Sequence, residues 1–146
     1  MALPRLRRLA LWLFVLFALC QLVPYGHRHV NPPVVAEPAW DAPGTRALAK
    51  RACFDCHSNE TVWPLYAYVA PVSWLVLSDV ESGRRHLNFS EWNLPQKHFE
   101  DAAEIVRSKD MPLQKYLILH RSARLTDAER DQLADGFARM FAGKEK

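Results

Sequence analysis

Apolar residues fall along this chain first in one nearly unbroken run and then in stripes of helical period. The run extends from Leu9 to Val23, interrupted only by Gln21, and it follows Arg5, Arg7 and Arg8. From Thr45 to Cys53, Leu48, Ala49, Ala52 and Cys53 recur at the spacing of one helix face. Pro71 suits the first turn of a second helix, along which Val72, Leu75, Val76, Asp79 and Val80 trace a stripe. Gly83 costs that helix about 1 kcal/mol against Ala, so the pattern predicts an end there. A third helix is expected to open at Pro95, with Phe99, Ala102, Ala103 and Val106 on one face. A short one is expected around Tyr116, Leu117 and Leu119. The last is announced by the capping-box sequence Thr126-Asp127-Ala128-Glu129 and carries Leu133, Phe137, Met140 and Phe141 as its apolar stripe. Period-2 alternation nowhere persists, so the expected fold class is all-α.

The opening run has the composition of an export segment, a cationic start followed by an apolar stretch. Ala18-Leu19-Cys20 is a weak cleavage site, and this favours an uncleaved signal anchor over a soluble form beginning near Gln21. The positive-inside rule then puts the arginines in the cytoplasm and the rest of the chain outside. His27 to Pro43, with Pro32, Pro33, Pro38 and Pro43, reads as an extended, semi-rigid spacer in which His27 and His29 are solvated. The expected division is an N-terminal anchor over 1–26, a linker over 27–42 and a helical domain over 43–146.

Charge removes one class of function. Nineteen Lys and Arg oppose sixteen Asp and Glu, and three of the basic residues are Arg5, Arg7 and Arg8; without them the balance is even. No broad cationic face is left for nucleic acid.

Chemistry concentrates in Cys53-Phe54-Asp55-Cys56-His57. Cys-x-x-Cys-His is the attachment signature of a c-type haem: two thiols at this spacing reach the two vinyl groups of one porphyrin edge, and the adjacent imidazole becomes the proximal iron ligand. Two other readings compete. A redox dithiol needs a βαβ setting, and a structural zinc site needs a second ligand pair, which the chain lacks. With Cys20 in the apolar run, the remaining two cysteines are too few for a disulfide framework.

A haem with one His has a second axial position to fill, for which Met111, Met140, His86, His98 and His120 are the candidates. Met140 lies on an apolar helical stripe and reads as core, while His98 lies on the polar side of its helix. Met111 precedes Pro112 and so sits on a non-helical loop that can carry a thioether over the ring; His86 and His120 come next. Arg84, Arg85 and Trp92 are candidates for the propionates, and the aromatics between Trp63 and Trp74 for covering the porphyrin. Asn59-Glu60-Thr61 and Asn88-Phe89-Ser90 match the glycosylation sequon, but a sugar beside the haem motif is not expected.

The order helix, Cys-x-x-Cys-His, helices, Met-Pro loop and closing helix resembles the class I c-type cytochromes, in which the first and last helices cross beside the haem. By order, the matching pair here is Thr45–Cys53 and Thr126–Phe141. A closer resemblance is to small bacterial haem-binding domain proteins with an N-terminal membrane segment. It rests on Cys53-Phe54-Asp55-Cys56-His57-Ser58-Asn59-Glu60-Thr61, Ala70-Pro71-Val72-Ser73-Trp74, His86-Leu87-Asn88-Phe89-Ser90-Glu91-Trp92 and Met111-Pro112-Leu113. It implies haem c attached through Cys53 and Cys56, His57 as proximal ligand and Met111 as distal ligand. The expected activity is single-electron transfer between redox proteins on the outer face of a bacterial inner membrane. The rivals are a sensor or peroxidase-like enzyme with an open sixth site and a Cys-x-x-Cys thiol oxidoreductase.

Overall fold

The computed structural model describes residues 3–142. Seven α-helices occur among them: α1 (Leu3–Cys20), α2 (Pro43–Ala52), α3 (Phe54–His57), α4 (Val72–His86), α5 (Ala102–Arg107), α6 (Gln114–Leu117) and α7 (Asp127–Ala142). No strand accompanies them in the described residues, where β pairing is limited to an isolated parallel bridge between Ala36 and Glu91. The all-α expectation holds. The chain forms two compact units, one of residues 1–30 with 63–79, the other of 31–62 with 80–146.

In the first unit, α1 differs from the expected span. It includes Arg5, Arg7 and Arg8 and stops at Cys20, so its uncharged part is Leu9–Cys20, roughly 18 Å at 1.5 Å per residue against a hydrocarbon core of roughly 30 Å. No helix of the described residues is long and apolar enough to cross a membrane. Gln21, the lone polar residue of the run, accounts for the stop. Its side-chain amide donates to the Phe17 carbonyl (3.0 Å) and the Ala70 carbonyl (2.9 Å), and its oxygen accepts the Ala70 N–H (3.0 Å). Apolar side chains are exposed all around α1, Trp12 and Phe14 most of all at 71% and 67%.

The second unit holds the core. Leu48, Ala49 and Ala52 of α2, Phe54 of α3, Ala102 and Val106 of α5, and Leu133, Ala134 and Phe137 of α7 are buried together with Leu87, Phe89 and Phe99. Phe89 is fully buried at its centre, with its ring 5.2–5.9 Å from those of Trp40, Phe54, Trp92 and Phe137. Gly136 lets α2 and α7 approach closely, since a Cβ there would stand 2.5 Å from both side-chain branches of Thr45. Met140 packs against this core, as its stripe implied.

The proline-rich stretch holds no helix, makes an isolated bridge at Ala36, and is tied down. The Val35 and Ala36 amides donate to the Ser90 carbonyl (2.9 and 3.1 Å), and the Trp92 amide to the Ala36 carbonyl (2.9 Å). Trp40, between Phe54 and Phe89, is a core residue that periodicity could not flag.

Pro95 does not open the third helix, which begins only at Ala102. Gln96 holds the intervening loop instead: its oxygen accepts the Asn88 N–H (2.8 Å) and its amide donates to the Glu91 and Leu94 carbonyls (2.9 and 3.1 Å). α7 starts as its sequence announces. The Thr126 amide donates to Glu129 Oε2 (2.9 Å) and the Glu129 amide to Thr126 Oγ1 (3.2 Å), the reciprocal pattern of a capping box. Thr126→Ala should therefore destabilise the protein by about 1 kcal/mol in urea unfolding. Glu37 gives a pH signature. Its carboxylate accepts from Arg46 Nε (2.7 Å) and Nη2 (2.6 Å) and from Trp40 Nε1 (2.8 Å). The Arg46 hydrogen bonds hold its pKa below the ordinary 4.5 against the opposing effect of burial. The unfolded chain takes up that proton first, so the contribution to stability is present above 4.5 and is lost as pH falls through the lower folded value. Glu37→Gln should flatten the acid limb of the stability profile, measured as melting temperature against pH.

Candidate haem site

The haem motif is built as a break between two helices. The Cys53 amide still donates to the Ala49 carbonyl of α2 (2.8 Å), but its backbone leaves helical geometry at φ −125°. α3 then starts anew, with the Cys56 and His57 amides both donating to the Cys53 carbonyl (3.1 and 2.9 Å). This kink sends Phe54 into the core and leaves Cys53, Cys56 and His57 half-buried and close in the chain. Asp55 ties the turn from its other side: its carboxylate accepts the Val62 N–H (3.0 Å) and the Tyr116 hydroxyl (2.6 Å), and its carbonyl accepts the Thr61 hydroxyl (2.8 Å).

His57 is oriented by the chain after α4. Its Nδ1 lies 3.0 Å from the Leu87 carbonyl, and the Phe89 amide donates to the His57 carbonyl (2.8 Å). A carbonyl only accepts, so Nδ1 carries the proton and the neutral ring keeps its lone pair on Nε2, the arrangement typical of a metal-ligating histidine. Burial lowers the His57 pKa, outweighing the carbonyls of Leu87 and Gly83 that raise it, with His86 lowering it further. Both features suit an iron ligand.

Among the described residues no disulfide joins Cys53 or Cys56. Burial, assisted by neighbouring Cys56, pushes Cys53 up to about 12, so it is protonated at neutral pH. A dithiol oxidoreductase needs the opposite, a thiolate stabilised by an electropositive setting. The donor set fits a haem held through two thioethers and one imidazole.

Gly83, read in the sequence as a helix end, has a different purpose. α4 continues to His86, and an added Cβ at 83 would lie 2.4 Å from the Cys56 carbonyl oxygen and 2.9 Å from its carbon. The helix seats directly on the haem motif, and only glycine permits it.

Polar groups lock the surroundings. Arg84 Nε donates to the Ser58 carbonyl (2.8 Å) and its Nη2 to Asn31 Oδ1 and Thr61 Oγ1 (3.0 and 2.9 Å), so this cation is committed to the loop after the motif. Asn59 donates to the Pro33 carbonyl and Glu91 Oε1 (3.0 and 2.9 Å) and accepts from the Asn88 amide (2.9 Å); its backbone N–H donates to Ser90 Oγ (2.9 Å). Both sequon asparagines are thus buried and hydrogen-bonded. Asn88-Phe89-Ser90 reads in the sequence as a plain loop, yet it is what positions His57. The only hint was its density of small polar residues around one Phe.

Met111 sits half-buried on the loop between α5 and α6. Its amide donates to the Ile105 carbonyl (3.2 Å), and buried Arg130 of α7 donates through Nη1 to the Met111 carbonyl (3.1 Å) and the Val106 carbonyl (2.9 Å). The loop is therefore fixed by an internal cation that no local sequence pattern singles out. Among the other axial candidates, His98 is exposed, His86 bonds through Nδ1 to the Ser82 carbonyl (2.8 Å), and His120 does so to Tyr116 (3.0 Å) while stacking on its ring. Trp92 belongs to the core, stacked on Phe89 and edge-on to Phe99. The aromatics Trp63, Tyr68 and Trp74 belong to the first unit.

The haem-binding domain family matches residues 15–139, most of the chain. The protein belongs to that family, and haem is its cofactor. No curated protein and no solved structure matches it.

Gly83 supplies a test in which two effects oppose. Helix propensity alone would make Gly83→Ala stabilising by about 1 kcal/mol. The contact with Cys56 predicts the reverse: a lower melting temperature and reduced haem incorporation per chain, measured by absorbance of the purified protein.

Proposed function

We propose that this protein is a monohaem c-type electron carrier, with haem attached through Cys53 and Cys56, His57 as proximal ligand and Met111 as distal ligand. The observation that carries the reading is the His57 imidazole, held neutral with Nδ1 on the Leu87 carbonyl and directly following two unbridged thiols. When bound, haem supplies a one-electron couple at its iron. The chain's own contribution is to bind, orient and shield it. Leu87 and Gly83 fix the His57 ring and the Cys56 backbone, Arg130 fixes the Met111 loop, and the Phe89-centred core gives the site a rigid wall.

The proposed location is the outer face of a bacterial inner membrane, with other redox proteins as partners. Support comes from Arg5, Arg7 and Arg8 in the first turns of α1 and from the exposed apolar side chains that follow them in the same helix, since such a surface needs apolar surroundings. The α1 helix engages the membrane in this reading, and the protein should pellet with membranes and resist extraction by high salt, because apolar burial is not screened as charge attraction is.

Substitution at the two sulfur positions and at the loop methionine tests the site. Cys53→Ala with Cys56→Ala should abolish haem staining on a denaturing gel. Met111→Ala should remove the weak sulfur-to-iron charge-transfer band of the oxidised protein and open the reduced iron to carbon monoxide. Met140→Ala should leave the band intact and cost up to about 2–5 kcal/mol of stability. Ready carbon monoxide binding by the wild type would instead favour a sensor or peroxidase-like enzyme with an open sixth site.

A further inference from the structure

The first unit carries a second apolar surface besides that of α1. From Trp63 to Ser78 the chain has no charged side chain. Its backbone makes a 3₁₀ turn over Leu65–Tyr68 and then the start of α4. Side-chain size runs the wrong way for a segment that faces water. The small residues Ala67, Ala70 and Ser73 recur at every third position and are fully buried, while Leu65 and Leu75 stand 89% and 63% exposed. Tyr68, Val69 and Val72 are exposed with them. Leu65 and Tyr68 eclipse each other in the 3₁₀ turn, and Val72 and Leu75 are neighbours one turn apart on α4. Large apolar side chains gathered outward over small buried ones mark a surface made for a partner.

Packing fixes this surface from beneath. His27 and His29, expected in the sequence to be solvated, are drawn inward: His27 Nε2 and both ring nitrogens of His29 are inaccessible to solvent. The His29 ring lies 4.4 Å from that of Trp63 and 4.3 Å, edge-on, from that of Tyr68. Gly26, at φ +86°, lets the backbone approach the start of α4, where an added Cβ would stand 2.7 Å from Trp74 Cδ1.

The neighbours of the surface indicate what covers it. The bonds of Gln21 to the Ala70 N–H and carbonyl (3.0 and 2.9 Å) put the C-terminal end of α1 beside the middle of the segment, and Leu22, Val23 and Tyr25, which follow directly, are exposed as well. A protein partner would meet a charged and polar rim around an apolar centre, and residues 63–78 have no charge to supply one. Tyr25 and Tyr68, about half exposed, are side chains that bilayer interfaces favour. The uncharged part of α1 covers roughly 18 Å of a hydrocarbon core of roughly 30 Å, so apolar surface at its end has hydrocarbon left to meet.

We propose that the face carrying Leu65, Tyr68, Val69, Val72 and Leu75 docks on a lipid bilayer, in the leaflet where α1 ends. The membrane element is then the whole first unit and not α1 alone. This rests on the reading of α1 as the helix that engages the membrane.

The test is partition of the full-length holoprotein between buffer and phosphatidylcholine vesicles, read by sedimentation. Leu65→Ser and Leu75→Ser should each weaken partition about tenfold, the value of burying one leucine side chain. Ile118→Ser, which removes a comparably exposed apolar side chain (67%) from the second unit, should leave it unchanged. Where α1 binds too tightly for partition to change, cross-linking decides: a photoreactive benzophenone side chain in place of Leu65 should form adducts with phospholipid, and one in place of Ile118 should not. Vesicle-bound protein that gives no lipid adduct from position 65 would overturn the proposal and leave the α1 reading standing. Cross-linking from that position to a second chain or to haem in place of lipid would overturn it equally and identify the occupant. Failure of the wild type to bind vesicles at all would remove both the proposal and the α1 reading.

Discussion

The second unit depends on how the end of α4 and the residues after it are seated on the haem motif. Three contacts make that seat: Gly83 against the Cys56 carbonyl, the Leu87 carbonyl on His57 Nδ1, and the Phe89 amide on the His57 carbonyl. Two of them act on backbone atoms, so they fix where the turn lies. The third fixes the tautomer and rotation of a side chain. Phe89 links the seat to stability, since the residue whose N–H holds His57 also puts its ring at the centre of the core. Loss of core packing and loss of His57 orientation should thus be coupled, as the proposed role of His57 as an iron ligand requires.

The helices and the haem motif were legible because both are local. A 3.6-residue stripe, a capping box and Cys-x-x-Cys-His each declare themselves within a few turns, and α2, α4 and α7 duly appear. What failed were readings in which a residue's partner lies far along the chain. Gly83 reads locally as a weak point in a helix; its partner is 27 residues away. Pro95 reads as a helix start, but Gln96 spends its side chain on Asn88, Glu91 and Leu94, and the helix waits until Ala102. Gln21 reads as a tolerated polar residue in an apolar run, yet its bonds to Ala70 end α1 at Cys20.

The same logic separates the two kinds of site residue. Cys53, Cys56 and His57 lie within five residues and carry their proposed chemistry in their spacing. Arg130 supports the Met111 loop from a helix that begins sixteen residues after Met111, and a buried Arg on an otherwise amphipathic stripe leaves no local signature. Asn59 and Asn88 resemble sugar acceptors in sequence and, with Ser90, act as internal hydrogen-bonding groups in the structure. In each case the residue type was visible and its partner was not.

Covalent attachment is the claim on which the rest of the functional account stands, and intact-protein mass spectrometry tests it most directly. Protein produced alongside a cytochrome c maturation system and denatured before measurement should carry the added mass of one haem, and should lose it only when both Cys53 and Cys56 are replaced. A denatured wild-type chain at its bare polypeptide mass, with haem released into the solvent, would contradict the account and leave a haem held without thioethers.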